Sequence, residues 1–136
     1  MPSQSFEYTE KGSRIFGKVK RPLIDVEVKT FSGEWLEIKE VLADTGADIS
    51  ILPKNIASLI IRDVEDGKTE AIKGIVPYAN LIVFLHTLTF RIQGKEFSLP
   101  VAVADSDDVP PILGRVKGLD LFSALFNGKT VHLTWE

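Results

Sequence analysis

An acid, a hydroxyl and a glycine follow one another at Asp44-Thr45-Gly46, directly after the hydrophobic stretch Val41-Leu42-Ala43. A carboxylate delivered to the end of a buried strand is partly desolvated, which suits it to acid or base work. The same three residues also make an ordinary turn, in which Asp44 caps the backbone and Gly46 takes a positive φ. Taken alone, they leave both readings open. Other chemistries have less to build on. The chain has no cysteine, which removes thiol catalysis, disulfides and thiolate metal sites. Imidazole comes only from His86 and His132, which read as strand residues rather than ligands. No metal and no cofactor is expected.

The chain of 136 residues is one domain's worth of protein, and at 44% hydrophobic it can bury a core. Its 16 Lys and Arg against 19 Asp and Glu give a net charge of −3, with both signs spread along the sequence. That leaves no basic stripe of the kind that neutralises phosphates, so no nucleic-acid partner is expected. MPSQSFEYTEKG lacks the basic start and apolar stretch of a signal peptide. The longest apolar run, Ala79 to Leu85, is less than half of what a bilayer crossing needs, so no membrane partner is expected and a cytoplasmic location is the default.

The elements that must position Asp44 read as mainly β. Residues 1–12 are polar and read as a flexible tail, leaving 13–136 as the folded domain. Val19, Leu23, Val26 and Val28 start a strand, Phe31-Ser32-Gly33-Glu34 turns it, and Trp35 to Ala43 returns to Asp44. The segment after Pro53 reads equally as a helical turn or a strand. Asp66-Gly67 signals a hairpin between Ile60–Val64 and Thr69–Ile72. Leu88, Phe90 and Ile92, then Phe97, Leu99, Val101 and Val103, keep a period of two around Gln93-Gly94-Lys95. Val116, Leu119, Phe122 and Leu125 or Phe126 recur at three and four, which predicts a helix over Gly114 to Phe126. Thr130 to Trp135 is a terminal strand.

The wider pattern around Asp44 separates the two readings. Val41-Leu42-Ala43-Asp44-Thr45-Gly46-Ala47-Asp48, followed by Ser50-Ile51-Leu52, resembles the active-site loop of the retroviral aspartic proteases, the retropepsin family. Downstream, Pro111-Ile112-Leu113-Gly114-Arg115 looks like the Ile-Ile-Gly-Arg segment that precedes the family's helix. Upstream, Arg21-Pro22-Leu23 looks like the opening of its first core strand. The three matches run in order from residue 21 toward the C-terminus.

The resemblance implies a retropepsin-like closed β-barrel with one short C-terminal helix, active as a C₂ homodimer. It implies an aspartic endopeptidase in which Asp44 of each subunit activates a water, with a peptide or protein as substrate. It also implies supporting roles. Thr45 bonds across the dimer and Gly46 lets the backbone approach the substrate. Ala47 leaves room for a side chain, and Asp48 accepts from the substrate backbone. Asp48 also pairs with Arg115 of its own chain and Arg21 of the other. Leu42, Ile51 and Ile112 line the pockets, and Ile49 makes one subsite more apolar than in the viral enzymes. Ala71 to Phe84 occupies the place of the family's flap, with Gly74, Ile75 and Tyr78 as substrate contacts. The strand Val131 to Trp135 takes the place of the terminal strands that interleave at the dimer base. One departure stands out: the glycine-rich flap tip is reduced to Gly74, and Pro77 stiffens it. This favours an alternative, a weakly active or inactive dimeric module that binds peptides.

Overall fold

The computed structural model describes residues 1–73 and 80–136. Strands β1 (Ser3–Glu7), β2 (Thr9–Ser13), β3 (Gly17–Arg21), β4 (Leu23–Lys29) and β5 (Trp35–Ala43) lead to the Asp44 loop. Beyond it come β6 (Ser50–Pro53), a one-turn helix α1 (Lys54–Ala57), β7 (Lys68–Lys73), β8 (Asn80–Ile92) and β9 (Lys95–Ala104). The chain closes with β10 (Ile112–Leu113), β11 (Ser123–Phe126) and β12 (Thr130–Thr134). Among the described residues, no helix is long and apolar enough to cross a membrane.

The expected closed barrel is corrected by the strand pairing. The strands fall into three sheets: β1-β12-β11, the pair β2-β3, and a seven-stranded sheet in the order β4-β5-β10-β6-β9-β8-β7. The seven-stranded sheet is not closed into a barrel; β4 meets β8 over two pairs, Glu27↔Arg91 and Val28↔Phe90. The predicted hairpin around Gln93-Gly94 is present as β8 and β9, and its period of two places Leu88, Phe90, Ile92, Phe97, Leu99, Val101 and Val103 in the core. A line of tilted and edge-on aromatic rings runs from Phe90 through Phe97 and Phe122 to Trp135, with centroids 5.5 to 5.9 Å apart, and welds the three-stranded sheet to the large one.

Four local expectations change. The helix over Gly114 to Phe126 does not form: the segment is a run of turns, a 3₁₀ turn at Leu119–Leu121 and then β11. Leu119 and Phe122 are buried as the spacing required, but Val116 and Leu125 are exposed, and Ser123 to Phe126 pairs with β12 instead. The short helix of the fold is α1, in the stretch after Pro53 where both readings stood. Asp66-Gly67 is not a hairpin turn. Val64–Asp66 is a 3₁₀ turn whose Val64 carbonyl accepts from His86 Nε2, and β7 pairs with β8. Gly67 serves a close approach there, since a Cβ would lie 2.6 Å from both His86 and the Leu85 carbonyl. Finally, the N-terminus is not a loose tail: β1 pairs with β12 and β2 with β3.

At the β4 to β8 contact, Arg91 grips Glu27 through two hydrogen bonds at 2.8 and 3.0 Å and lies 4.0 Å over the Trp35 ring. Chiefly through those hydrogen bonds, the guanidinium holds the Glu27 carboxyl below its ordinary 4.5. A depressed carboxylate contributes stability that is present above its unfolded value and lost as pH falls through the folded one. Glu27→Gln is therefore expected to flatten the acid limb of melting temperature against pH, by a small amount because the pair is solvent-accessible. An unchanged acid limb in thermal scans would show that the pair carries none of it.

Candidate active site

Strand β5 carries the chain to Asp44, and β10 explains why the loop stays there. β10 lies between β5 and β6, parallel to the first and antiparallel to the second. Its register puts Leu42 opposite Ile112 and Ile112 opposite Ile51, so these three form one half-buried row across three strands. On β4, Leu23 extends the row, facing Leu42. Three residues named separately in the sequence as pocket linings thus share one face beside the loop.

The loop is held through its backbone. Asp44 N–H donates to the Leu113 carbonyl at 3.0 Å, and Ala47 N–H to the Asp44 carbonyl at 3.2 Å. Gly46 N–H donates to Asp44 Oδ1 at 2.9 Å, which fixes the rotation of the half-buried carboxylate. Among the described residues this is the hydrogen bond recorded for the Asp44 side chain. A Cβ on Gly46 would stand 3.3 Å from that same Oδ1, so the glycine permits the close turn. The segment after β10 locks against the loop: Arg115 N–H donates to the Ala47 carbonyl at 2.9 Å and Val116 N–H to that of Asp48 at 3.0 Å.

Ser50 supplies a tie to which the sequence reading assigned no role. It is a buried polar residue of the core, at 1% exposure, and its Oγ accepts from Gly114 N–H at 2.9 Å. Its only signal was its place inside the quoted motif. Ser50→Ala leaves that N–H buried without an acceptor, at an expected cost of about 1 to 3 kcal/mol. Denaturant unfolding of the two proteins measures it, and equal midpoints would contradict the tie.

The charged rim is looser. Arg115 approaches Asp48 at 3.7 Å, as the resemblance implied, but it also lies 3.5 Å from Asp120, which nothing in the sequence pointed to. Asp48 is strongly exposed. Among the described residues, Arg21 makes no ion pair, while it shares the wall of a cavity with Leu23 and Leu42. Thr45, Ala47 and Ile49 lie in the loop between β5 and β6. Gly74, Ile75 and Tyr78 fall outside the described residues, but the strands on either side, β7 and β8, pair out to Lys73↔Asn80. The strand read as a dimer seam is corrected. β12 already has β1 on one edge and β11 on the other, so within one chain it is a central strand. Both histidines are hydrogen-bonded within the fold, His86 to the Val64 carbonyl and His132 to Ser5. Among the described residues, no group of three His, Asp or Glu side chains gathers as a metal site.

Against known proteins, the family model described as eukaryotic aspartyl protease matches residues 11–108. Among solved structures, the EIAV protease complexed with the inhibitor HBY-793 is 28% identical, with a TM-score of 0.51, over 71% of this chain and 83% of that one. A retropepsin-like aspartic protease from Rickettsia conorii aligns over 99% of this chain and 95% of its own, at 21% identity and a TM-score of 0.62, a likeness of fold. No curated protein sequence matches significantly. A family match over well more than half the chain, spanning the Asp44 loop, places this protein in the aspartyl protease family, among its retropepsin-like members.

Proposed function

We infer that the chain is an aspartic endopeptidase that works as a homodimer and cuts between hydrophobic residues. The observation that carries this is Asp44, half-buried at the end of β5, with Oδ1 held by Gly46 N–H and its backbone tied to Leu113. Hydrolysis of this type needs two carboxylates that share one proton, because like charges a few Å apart do not both ionise. One chain carries one Asp-Thr-Gly, so the second carboxylate comes from a second copy. Asp44 of one subunit then takes the proton of the attacking water, while Asp44 of the partner subunit, protonated, donates to the scissile carbonyl. An acidic to mildly acidic optimum follows from the shared proton.

The supporting roles follow from position. Thr45 bonds toward the opposite loop, Gly46 and Ala47 leave space for the substrate, and Asp48 accepts from its backbone. Arg21 pairs with Asp48 of the partner subunit, a bond that a planar guanidinium suits. The row Leu42, Ile112, Ile51, with Ile49 beside it, offers apolar surface to side chains near the cut. Residues 74–79, between β7 and β8, cover the peptide and exclude water, with Gly74, Ile75 and Tyr78 as contacts.

Dilution tests the reading. Specific activity on a diverse peptide library should fall as the enzyme is diluted through its dimer dissociation constant, and a chelator should leave it unchanged. Full activity in a form that sedimentation shows to be monomeric, or a metal-dependent rate, would overturn it. A folded dimer that cuts nothing supports the peptide-binding module.

A further inference from the structure

The hairpin β2-β3 forms a sheet of its own and ends on Arg21, the first residue of the Arg21-Pro22-Leu23 motif, yet it reaches the candidate active site. A cavity of about 410 Å³ has an apolar floor of Leu23, Leu42, Pro110 and Pro111, and Lys11 and Gly12 of β2 form its wall. The floor is continuous with the Asp44 loop. Leu42 lies two residues before Asp44, about 7 Å along a strand, and its N–H donates to the Pro111 carbonyl at 3.0 Å.

An ion pair fastens the hairpin to β5 beside that floor. Lys11 Nζ lies 3.0 Å from both carboxylate oxygens of Glu40. Glu40 holds a φ of +59°, unusual for a residue with a side chain, beside the register shift between Ile24 and Val26. Strained backbone of this kind persists only where its surroundings demand it. Here it accompanies the ion pair that fastens the wall.

Resting on the protease reading above, we propose that the β2-β3 hairpin is a specificity element: its Gly12 sets the size of a pocket that receives a large aliphatic or aromatic substrate side chain close to the cut bond. Three observations carry it. The floor is apolar and joins the row of Leu42, Ile112 and Ile51. The Arg21 guanidinium and the prolines offer flat surfaces against which a ring can stack. Gly12 is a wall residue where an added Cβ would meet no atom within 4 Å, so the glycine answers no internal packing need. Its missing side chain keeps the pocket wide.

The test uses a cleaved library peptide remade with Phe, Leu or Ala at each position near the cut. At one position the wild type should prefer Phe or Leu over Ala. Gly12→Phe should lower the Phe to Ala ratio of kcat/KM at that position by about tenfold or more. Gly94→Phe, in the β8-β9 turn where a Cβ also meets nothing within 4 Å, should leave the ratio as it is. Lys11→Met, which unfastens the hairpin, should blur the preference. An unchanged ratio in Gly12→Phe, with a wild-type melting temperature, overturns the proposal. Should the wild type cut no peptide, the protease reading fails, and the affinities of the same peptides decide the pocket. A Phe preference lost in Gly12→Phe supports it, and equal affinities overturn it.

Discussion

Asp44→Asn is expected to lower kcat/KM for peptide hydrolysis by about 10³-fold or more while leaving the fold intact. The substitution keeps the shape of the side chain and an Oδ1 that still accepts from Gly46 N–H, so the loop retains the bond that orients residue 44. What it removes is the exchange of a proton with water. In a homodimer each active site loses both carboxylates at once, which makes the effect larger than the loss of one acid among several. Wild type and variant assayed side by side on the same peptide, across acidic to neutral pH, measure the loss. Matching thermal melts and sedimentation show that only chemistry has changed. Hydrolysis that persists in the variant would place the reaction elsewhere and remove the central claim of the proposed function.

Gly114→Ala is expected to damage stability and activity together. A Cβ at residue 114 would stand 2.6 Å from the Ile49 carbonyl oxygen, 2.7 Å from its carbon and 3.0 Å from the Ala47 carbonyl oxygen. All three are backbone atoms of the active-site loop, which rotamer changes cannot relieve. The loop or β10 must therefore move, at a cost of about 1 to 3 kcal/mol. Any movement is passed on, because Asp44 hangs from the Leu113 carbonyl and Ala47 from Arg115 N–H. A displacement of about 1 Å at a reacting group costs about 10²-fold in rate. Melting temperature and kcat measured on the same preparation decide it. A variant with unaltered melting and unaltered kcat would show that the junction of loop and β10 does not position Asp44.

The two substitutions probe different kinds of information. The Asp44-Thr45-Gly46 loop could be read as a candidate site because its signal lies in residue types in immediate succession, preceded by a strand whose hydrophobic character is itself local. The β8-β9 hairpin could be read for a similar reason, since alternation around Gln93-Gly94 specifies both strands and the turn between them. The stretch from Gly114 to Phe126 misled because spacings of three and four fit a helix, but they also fit a 3₁₀ turn followed by a strand. The choice was made by a distant partner, β12, which claims Ser123 to Phe126. The polar N-terminus misled in the same way: β1 is a strand because β12 offers it hydrogen bonds, not because its own residues demand it.

From its sequence alone, then, the chain determined its candidate carboxylate, the glycine that lets the loop turn beside it, and the apolar residues that flank that loop. Tertiary structure alone decided that Leu42, Ile112 and Ile51 share one row, that Ser50 ties β6 to Gly114, that Arg115 is divided between Asp48 and Asp120, and that a hairpin from the N-terminus reaches Glu40. The physical reason is the range of the forces involved. Chain chirality, side-chain alternation and turn preference act between near neighbours and leave a trace in the sequence. Strand pairing and the burial of a polar group are settled by contacts far apart along the chain, and one chain's sequence carries no mark of which distant partner will meet which.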